Sequence, residues 1–122
     1  MTKKILVADD EPDILSMTKM MLEKNGYQVL TASNGVEALR TAESELPDLV
    51  LLDVVMPAKG GWEVCKILKS QEKTKHIPII IFTVLSWSFS EKYAEYSKPN
   101  DYLQKPFTVE GLLSKVKQYV GE

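Results

Sequence analysis

The chain has 122 residues, of which 44% are hydrophobic and 26% charged, a composition typical of one folded globular domain rather than a disordered segment. Its net charge of −2 provides no electrostatic attraction to nucleic acid or to an anionic membrane surface. Because Cys65 is the only cysteine, an internal disulfide and a zinc cluster built on thiolates are both excluded.

The first predicted element is a strand over residues 5–8, a continuous apolar run of the kind that is covered on both faces of a sheet. This run is too short for a signal peptide or a membrane span, so we expect a cytoplasmic protein without membrane contact. A helix should begin near Pro12, because a missing N–H costs nothing in a first turn, and should end at Gly26.

Strands and helices continue to alternate along the chain. Further strands are predicted over residues 27–32, 49–52, 77–82 and 101–104. Helical spacing of apolar residues predicts helices between them, and Thr108 is a suitable N-cap for the last one.

The segment between the fourth and fifth strands is unusual. Ser88 and Glu91 form a possible capping box, which predicts a fourth helix that is short and starts late. Lys98 precedes a proline, and this position favours extended backbone.

Five successive strand–helix units predict a single α/β domain over residues 1–122, a doubly wound parallel sheet flanked by five helices. In the flavodoxin-like strand order 2-1-3-4-5, ligands bind beyond the carboxyl ends of the strands, near the point between strands one and three where the connection reverses.

Polar residues follow the predicted strands at this edge. Asp9 and Asp10 follow strand one, Asp53 follows strand three, Thr83 ends strand four, and Lys105 follows strand five. Clustered carboxylates repel one another and either hold protons or bind a cation, and oxygen ligands with open positions suit Mg²⁺. With a cation present, a carboxylate can act as a phosphoryl acceptor, and the hydroxyl and ammonium groups can contact the phosphoryl oxygens.

Several motifs agree with a known family in residue type and in order. They are ILVADDE at residues 5–11, LLD at 51–53 with MP at 56–57, Gly61 with Glu63, FT at 82–83, and DYLQKPF at 101–107. Together they resemble the receiver domain of response regulators, the phosphoacceptor module of two-component signalling, over nearly the whole chain.

The resemblance implies a metal site and a phosphorylation site. Asp53 matches the phosphorylated aspartate, Asp10 the direct Mg²⁺ ligand, and Asp9 the acidic partner that acts through a metal-bound water. Val55 matches the position whose backbone carbonyl is a further metal ligand. The donor implied is the phosphohistidine of a histidine kinase, and the domain is not expected to be an enzyme beyond a slow loss of its own phosphoryl group.

The resemblance also implies a switch. Thr83 and Lys105 match the hydroxyl and lysine that contact the phosphoryl group, and Tyr102 matches the aromatic residue whose orientation follows the threonine. The peptide bond between Lys105 and Pro106 matches one that is usually cis. Val55 and Leu85 are apolar where polar residues could position an attacking water, which predicts slow dephosphorylation.

A downstream protein partner is expected on the face from the fourth to the fifth helix. Five aromatic residues lie close together in this part of the sequence, and tyrosine and tryptophan are enriched at protein interfaces: Trp87, Phe89, Tyr93, Tyr96 and Tyr102. Packing in the core is the alternative for Tyr93 or Tyr96. No nucleic-acid contact is expected within this chain.

Three other functions explain the sequence less well. A degenerate receiver that only binds proteins is the main alternative, although it should lack an acid, the lysine or the acceptor, and all are present. An Asp-nucleophile phosphohydrolase needs a second aspartate where this chain has Val55. A flavin site is disfavoured because the acidic residues 9–11 would repel its phosphate.

Overall fold

The computed structural model describes residues 2–56 and 60–121, with residues 87–89 described in their backbone only. Strands and helices alternate through these residues. Their bounds are β1 Lys4–Ala8, α1 Pro12–Lys24, β2 Gln28–Ala32, α2 Gly35–Glu45, β3 Leu49–Leu52, α3 Gly61–Ser70, β4 Ile79–Thr83, α4 Trp87–Ser97, β5 Asp101–Gln104 and α5 Val109–Val120.

The strands form one parallel sheet in the order β2-β1-β3-β4-β5, which confirms the predicted doubly wound, flavodoxin-like fold. Ala8 pairs with Leu52 across β1 and β3, and Thr83 pairs with Gln104 across β4 and β5. The carboxyl ends of the strands therefore lie close to one level, and the residues that follow them meet at one edge of the sheet.

The inner strands β1, β3 and β4 are almost entirely apolar because helices cover both faces of the sheet. On one face, β-strand side chains pack with buried residues of α2 and α3, including Val64, Cys65 and Leu68. On the other face they pack with Leu22 of α1 and with residues of α5. Within the described residues, no helix is both long enough and apolar enough to cross a lipid bilayer.

Most predicted boundaries agree with the structure to within two residues. Pro12 is the first residue of α1, and the Thr108 side chain accepts a hydrogen bond from the N–H of Gly111 as the N-cap of α5. Tyr27 and Ile77 were predicted to lie in strands but precede them, and both are nonetheless buried. Their apolar character reflects burial in the core rather than sheet pairing.

The prediction of a short, late fourth helix is wrong. α4 has 11 residues, as many as α2, and begins at Trp87. Its first turn closes on Ser86, whose carbonyl accepts a hydrogen bond from the N–H of Ser90 at 3.0 Å. The helix therefore begins before Ser88, which was predicted to be its cap.

The prediction for Lys98 is also wrong, because this residue has φ +57° in the left-handed region. Its N–H donates to the Ala94 carbonyl at 2.7 Å and so closes the end of α4. Two residues later, Asn100 pairs with β4 as a strand residue would. Its N–H donates to the Ile79 carbonyl at 2.8 Å, and its side-chain oxygen accepts from the Ile79 N–H at 2.9 Å. This anchor to β4 requires a sharp turn at Lys98 and overrides the local preference.

Replacing Lys98 with glycine should raise the free energy of unfolding by about 0.5–1 kcal/mol, because a side chain in the left-handed region costs about 1–2 kcal/mol and the greater unfolded-state entropy of glycine offsets part of this. Urea denaturation measures the change. Lys98→Ala is the matched control, since it removes the charge but keeps the Cβ atom. An equal gain from alanine would contradict the explanation.

Candidate functional site

Three carboxylates meet at the carboxyl end of the sheet. One side-chain oxygen each from Asp9, Asp10 and Asp53 lies within 4.8 Å of the others. Asp9 and Asp53 are buried in this cleft, whereas Asp10 is exposed. Hydrogen bonds from the Asp9 N–H to the Ala32 carbonyl and from the Asp53 N–H to the Ala8 carbonyl extend the sheet by one residue and fix both positions.

The same cleft contains a buried cation. The Lys105 ammonium lies 2.5 Å from Oδ2 of Asp9 and 3.2 Å from Oδ2 of Asp53, and Lys105 is itself buried. Two further contacts fix the position of Lys105. Its backbone N–H donates to the Thr83 carbonyl at 2.8 Å, and its side-chain ammonium lies 4.9 Å from the ring centroid of Phe82. The peptide bond from Lys105 to Pro106 is cis, as the family resemblance implied.

Burial and charge shift the pKa values of both partners. Burial raises the pKa of Asp53, and the negative charge of Asp9 adds to this, although the N–H of Val55 and the charge of Lys105 act in the opposite direction. Burial alone would lower the pKa of Lys105, but its contacts with Asp9 and Asp53 outweigh burial and raise it. Lys105 therefore carries a proton at neutral pH.

Backbone N–H groups orient the two buried carboxylates. Oδ1 of Asp9 accepts from the N–H of Glu11 at 3.0 Å, and Oδ1 of Asp53 accepts from the N–H of Val55 at 3.1 Å. These donors were not identified from the sequence, since every residue type except proline supplies the same N–H. Val55 itself is 54% exposed.

Thr83 and Tyr102 lie on the two strands at the side of the cleft. Thr83 is buried at the end of β4, and its hydroxyl accepts a hydrogen bond from the N–H of Leu85 at 3.4 Å. Tyr102 pairs with Ile81 in the sheet, is half-buried, and packs on the core face that α2 and α3 cover. The structure joins Lys105 directly to Asp9 and Asp53 and joins Thr83 to the cleft through the backbone of Lys105. Asp10 lies near the other two carboxylates, within 4.8 Å.

Gly61 contributes to the site by the absence of a side chain. A Cβ atom here would lie 2.5 Å from the Cα of Val54 and would clash with the carbonyl oxygen of Asp53. The N–H of Gly61 donates to the Val54 carbonyl at 3.3 Å, so the first residue of α3 packs directly on the backbone of the acceptor loop. The sequence contains this glycine within a family motif but gives no sign of the close approach that requires it.

The predicted aromatic cluster is only partly described. Tyr93 stacks on Trp62 with ring centroids 5.6 Å apart, whereas Tyr96 is 54% exposed. Tyr93 is therefore the half-buried member of the pair that was considered for the core. The side chains of Trp87 and Phe89 lie outside the described residues.

The oxygen donors of the cleft fit a hard divalent cation such as Mg²⁺. Three carboxylates supply negative charge, and the exposed Asp10 leaves an open side. In each buried carboxylate, Oδ1 accepts from a backbone N–H and Oδ2 faces Lys105. The lysine next to them can neutralise an anion that approaches the same cleft. The arrangement is suited to bringing a phosphoryl group to a carboxylate.

Comparison with known sequences agrees with this geometry. The sequence model of the response regulator receiver domain matches residues 5–117. The alkaline phosphatase synthesis transcriptional regulatory protein PhoP of Bacillus subtilis is 43% identical over 117 residues, which are 96% of this chain and 48% of PhoP. The chain thus spans about half the length of this relative.

Solved structures show the same fold. The chemotaxis response regulator CheY4 of Vibrio cholerae superposes with a TM-score of 0.91 at 31% identity, over 98% of this chain and 99% of CheY4. The receiver domain of the sensor histidine kinase PA1611 from Pseudomonas aeruginosa superposes with a TM-score of 0.92 at 28% identity over the full length of both chains. That structure has a magnesium ion coordinated in its active-site cleft.

Replacing Gly61 with alanine should lower the free energy of unfolding by about 1–3 kcal/mol, because the added methyl group displaces the backbone of Asp53 and Val54. Chemical denaturation and the NMR shift of the Val55 amide report the two effects. Gly60→Ser is the control, since no atom lies within 4 Å of a Cβ at Gly60 and serine caps helices well. Equal losses at both positions would show that the close approach is unimportant.

Replacing Asp53 with asparagine should stabilise the metal-free protein at pH 7. The pKa of Asp53 is raised above its ordinary 3.8 when folded, so the folded state binds more protons than the unfolded state in the window just above pH 3.8. The wild type therefore gains stability as pH falls through this window, and the advantage of asparagine should disappear below it. Thermal unfolding of both proteins across pH measures the difference in stability. Glu95→Gln on α4 is the control. A difference that does not change with pH would contradict the explanation.

Proposed function

This chain belongs to the response regulator receiver domain family, and we propose that it is a phosphoacceptor switch, phosphorylated on Asp53 in a Mg²⁺-dependent reaction with a histidine kinase as donor. The single observation that carries the proposal is the buried contact of Lys105 with Asp53 beside Asp9 and Asp10. The proposed switch is one receiver domain over residues 1–122.

The metal would be held by the carboxylates of Asp9, Asp10 and Asp53 and by the backbone carbonyl of Val55. Bound there, Mg²⁺ would offset the negative charge of the carboxylates and of the incoming phosphoryl oxygens. The magnesium ion in the receiver domain of PA1611 supports this choice of cation.

The residues of the chain have separate tasks in phosphoryl transfer. A carboxylate oxygen of Asp53 forms a bond to phosphorus while the P–N bond of a phosphohistidine breaks, and the imidazole nitrogen keeps the electron pair and takes up a proton. Lys105 holds its positive charge next to the phosphoryl oxygens, and the Thr83 hydroxyl donates a hydrogen bond to one of them. The N–H of Val55 keeps Asp53 oriented before transfer.

The readout would follow from Thr83. When its hydroxyl moves to the phosphoryl group, Tyr102 gains room to turn inward and changes the surface between α4 and α5. A cavity of about 360 Å³ lies on this surface, lined by Ala94, Pro99, Asn100, Asp101 and Tyr102. We assign the downstream protein partner to this face.

An interaction module that is never phosphorylated is the competing function. The complete set of Asp9, Asp10, Asp53, Thr83 and Lys105 disfavours it, because burying two carboxylates and a lysine costs stability that a pure binding surface does not need. The domain is proposed to be a signalling element rather than an enzyme with turnover. The apolar Val55 and Leu85 at the rim support slow loss of the phosphoryl group.

Incubation with acetyl phosphate and Mg²⁺ should add one phosphoryl group, detected by intact mass spectrometry, and chelation of the metal should prevent it. Asp53→Asn should abolish the product. Lys105→Ala should slow its formation by about 10²–10³-fold, the range for losing one charged donor to a transferring group.

Lys75→Ala is the matched control for the lysine, because Lys75 is exposed and pairs only with Glu72 among the described carboxylates. It should react at the wild-type rate. If the wild-type protein takes up no phosphoryl group under these conditions, the binding-module alternative replaces the present proposal.

A further inference from the structure

Helix α4 rests mainly on α3 rather than on the sheet in the described part of the chain. Two side-chain pairs join the helices. Trp62 and Tyr93 are stacked, with an interplanar angle of 17°, and the Lys66 ammonium lies 4.2 Å from the ring centroid of Tyr96. The pairs are successive, because residues four apart on α3 and three apart on α4 lie on one face of each helix.

A buried hydrogen bond reinforces these two pairs. The Cys65 thiol donates to the Ser97 carbonyl at 3.5 Å, and both residues are buried. Burial raises the pKa of Cys65 to about 11, so the thiol keeps the proton that it donates. We call this set of contacts the α3–α4 clamp: Trp62, Cys65 and Lys66 on α3, with Tyr93, Tyr96 and Ser97 on α4.

The N-terminal end of α3, next to the clamp, packs on the acceptor loop. Gly61 lies against the backbone of Asp53 and Val54 without room for a side chain, and Trp62 of the clamp is the next residue. Close-packed contacts therefore lead from the backbone of Asp53 through the first turn of α3 to α4. Contacts of this density transmit a displacement rather than absorb it.

We propose that α3 and α4 move as one body in this protein, and that the α3–α4 clamp is a second connection from the acceptor loop to α4. It acts in addition to the connection through Thr83 and Tyr102. Trp62 and Tyr93 are its positioning residues, since they touch neither a ligand nor the reacting atoms. The claim that the clamp carries the signal rests on the proposed function, whereas the one-body claim does not.

Hydrogen exchange on the metal-free protein tests the one-body claim. In Tyr93→Ala, the amides of residues 90–97 should exchange about two- to tenfold faster, the range for one lost aromatic pair, and the amides of residues 64–68 in α3 should follow. Lys92→Ala is the control. The exposed Lys92 contacts the ring of Tyr93 from within α4, so this variant leaves the contacts between α3 and α4 in place. Faster exchange confined to α4 would overturn the proposal.

If circular dichroism shows that Tyr93→Ala is unfolded, Lys66→Ala takes its place. Among the described side-chain contacts, this variant removes the exposed one with Tyr96, and it should accelerate exchange in both helices to a smaller extent. Acceleration in one helix alone would again count against the clamp.

Beryllofluoride with Mg²⁺, a phosphoryl mimic, tests the signalling role. Binding should change the exchange of residues 90–97 in the wild type, and Trp62→Leu should reduce that change at least about twofold while fluorine NMR still detects the bound mimic. A wild-type response in Trp62→Leu would overturn the signalling role. Failure of the wild type to bind the mimic would instead count against the proposed function, and the metal-free comparison would still decide whether the helices move together.

Discussion

Two carboxylates and one ammonium buried together at the end of a parallel sheet impose the strongest constraint on this molecule. Asp9, Asp53 and Lys105 would each be costly to bury alone, and they are tolerated because each neutralises or hydrogen-bonds another. The contact requires β1 beside β3 and β5 within reach of both. The strand order and the level strand ends are therefore also requirements of the site.

The acidic cleft and helix α4 are stabilised by different interactions. The acidic cleft lies at the end of fully buried strands, whose backbone positions are fixed by sheet hydrogen bonds. The N–H groups of Glu11 and Val55 hold the two buried carboxylates. Helix α4 depends instead on side-chain contacts with α3 and on the turn at Lys98. A helix held in this way can shift at lower cost than the strands that carry the carboxylates, and the proposed switch would use this difference.

Much of the fold followed from the sequence because the inner strands β1, β3 and β4 are nearly continuous apolar runs. Leu49–Leu52 was located to the residue, and Asp9, Asp53 and Thr83 each mark the point where such a run stops. The features that sequence patterns missed depend on tertiary contacts. The length of α4 reflects its packing on α3, the backbone of Lys98 reflects the anchor of Asn100 to β4, and the need for Gly61 arises from a loop that lies against it.

The strand order also bears on how safely the chain can fold. The central strands β3 and β4 read LVLL and IIIFT, short β-branched and aliphatic segments of the type that stack into aggregates when exposed. The two edge strands are less prone to pair with other molecules, since β2 carries the exposed Gln28 and Thr31 and β5 reads DYLQ. The order 2-1-3-4-5 keeps the aggregation-prone strands β3 and β4 inside the sheet. The open edges then carry polar side chains, which discourage pairing between molecules.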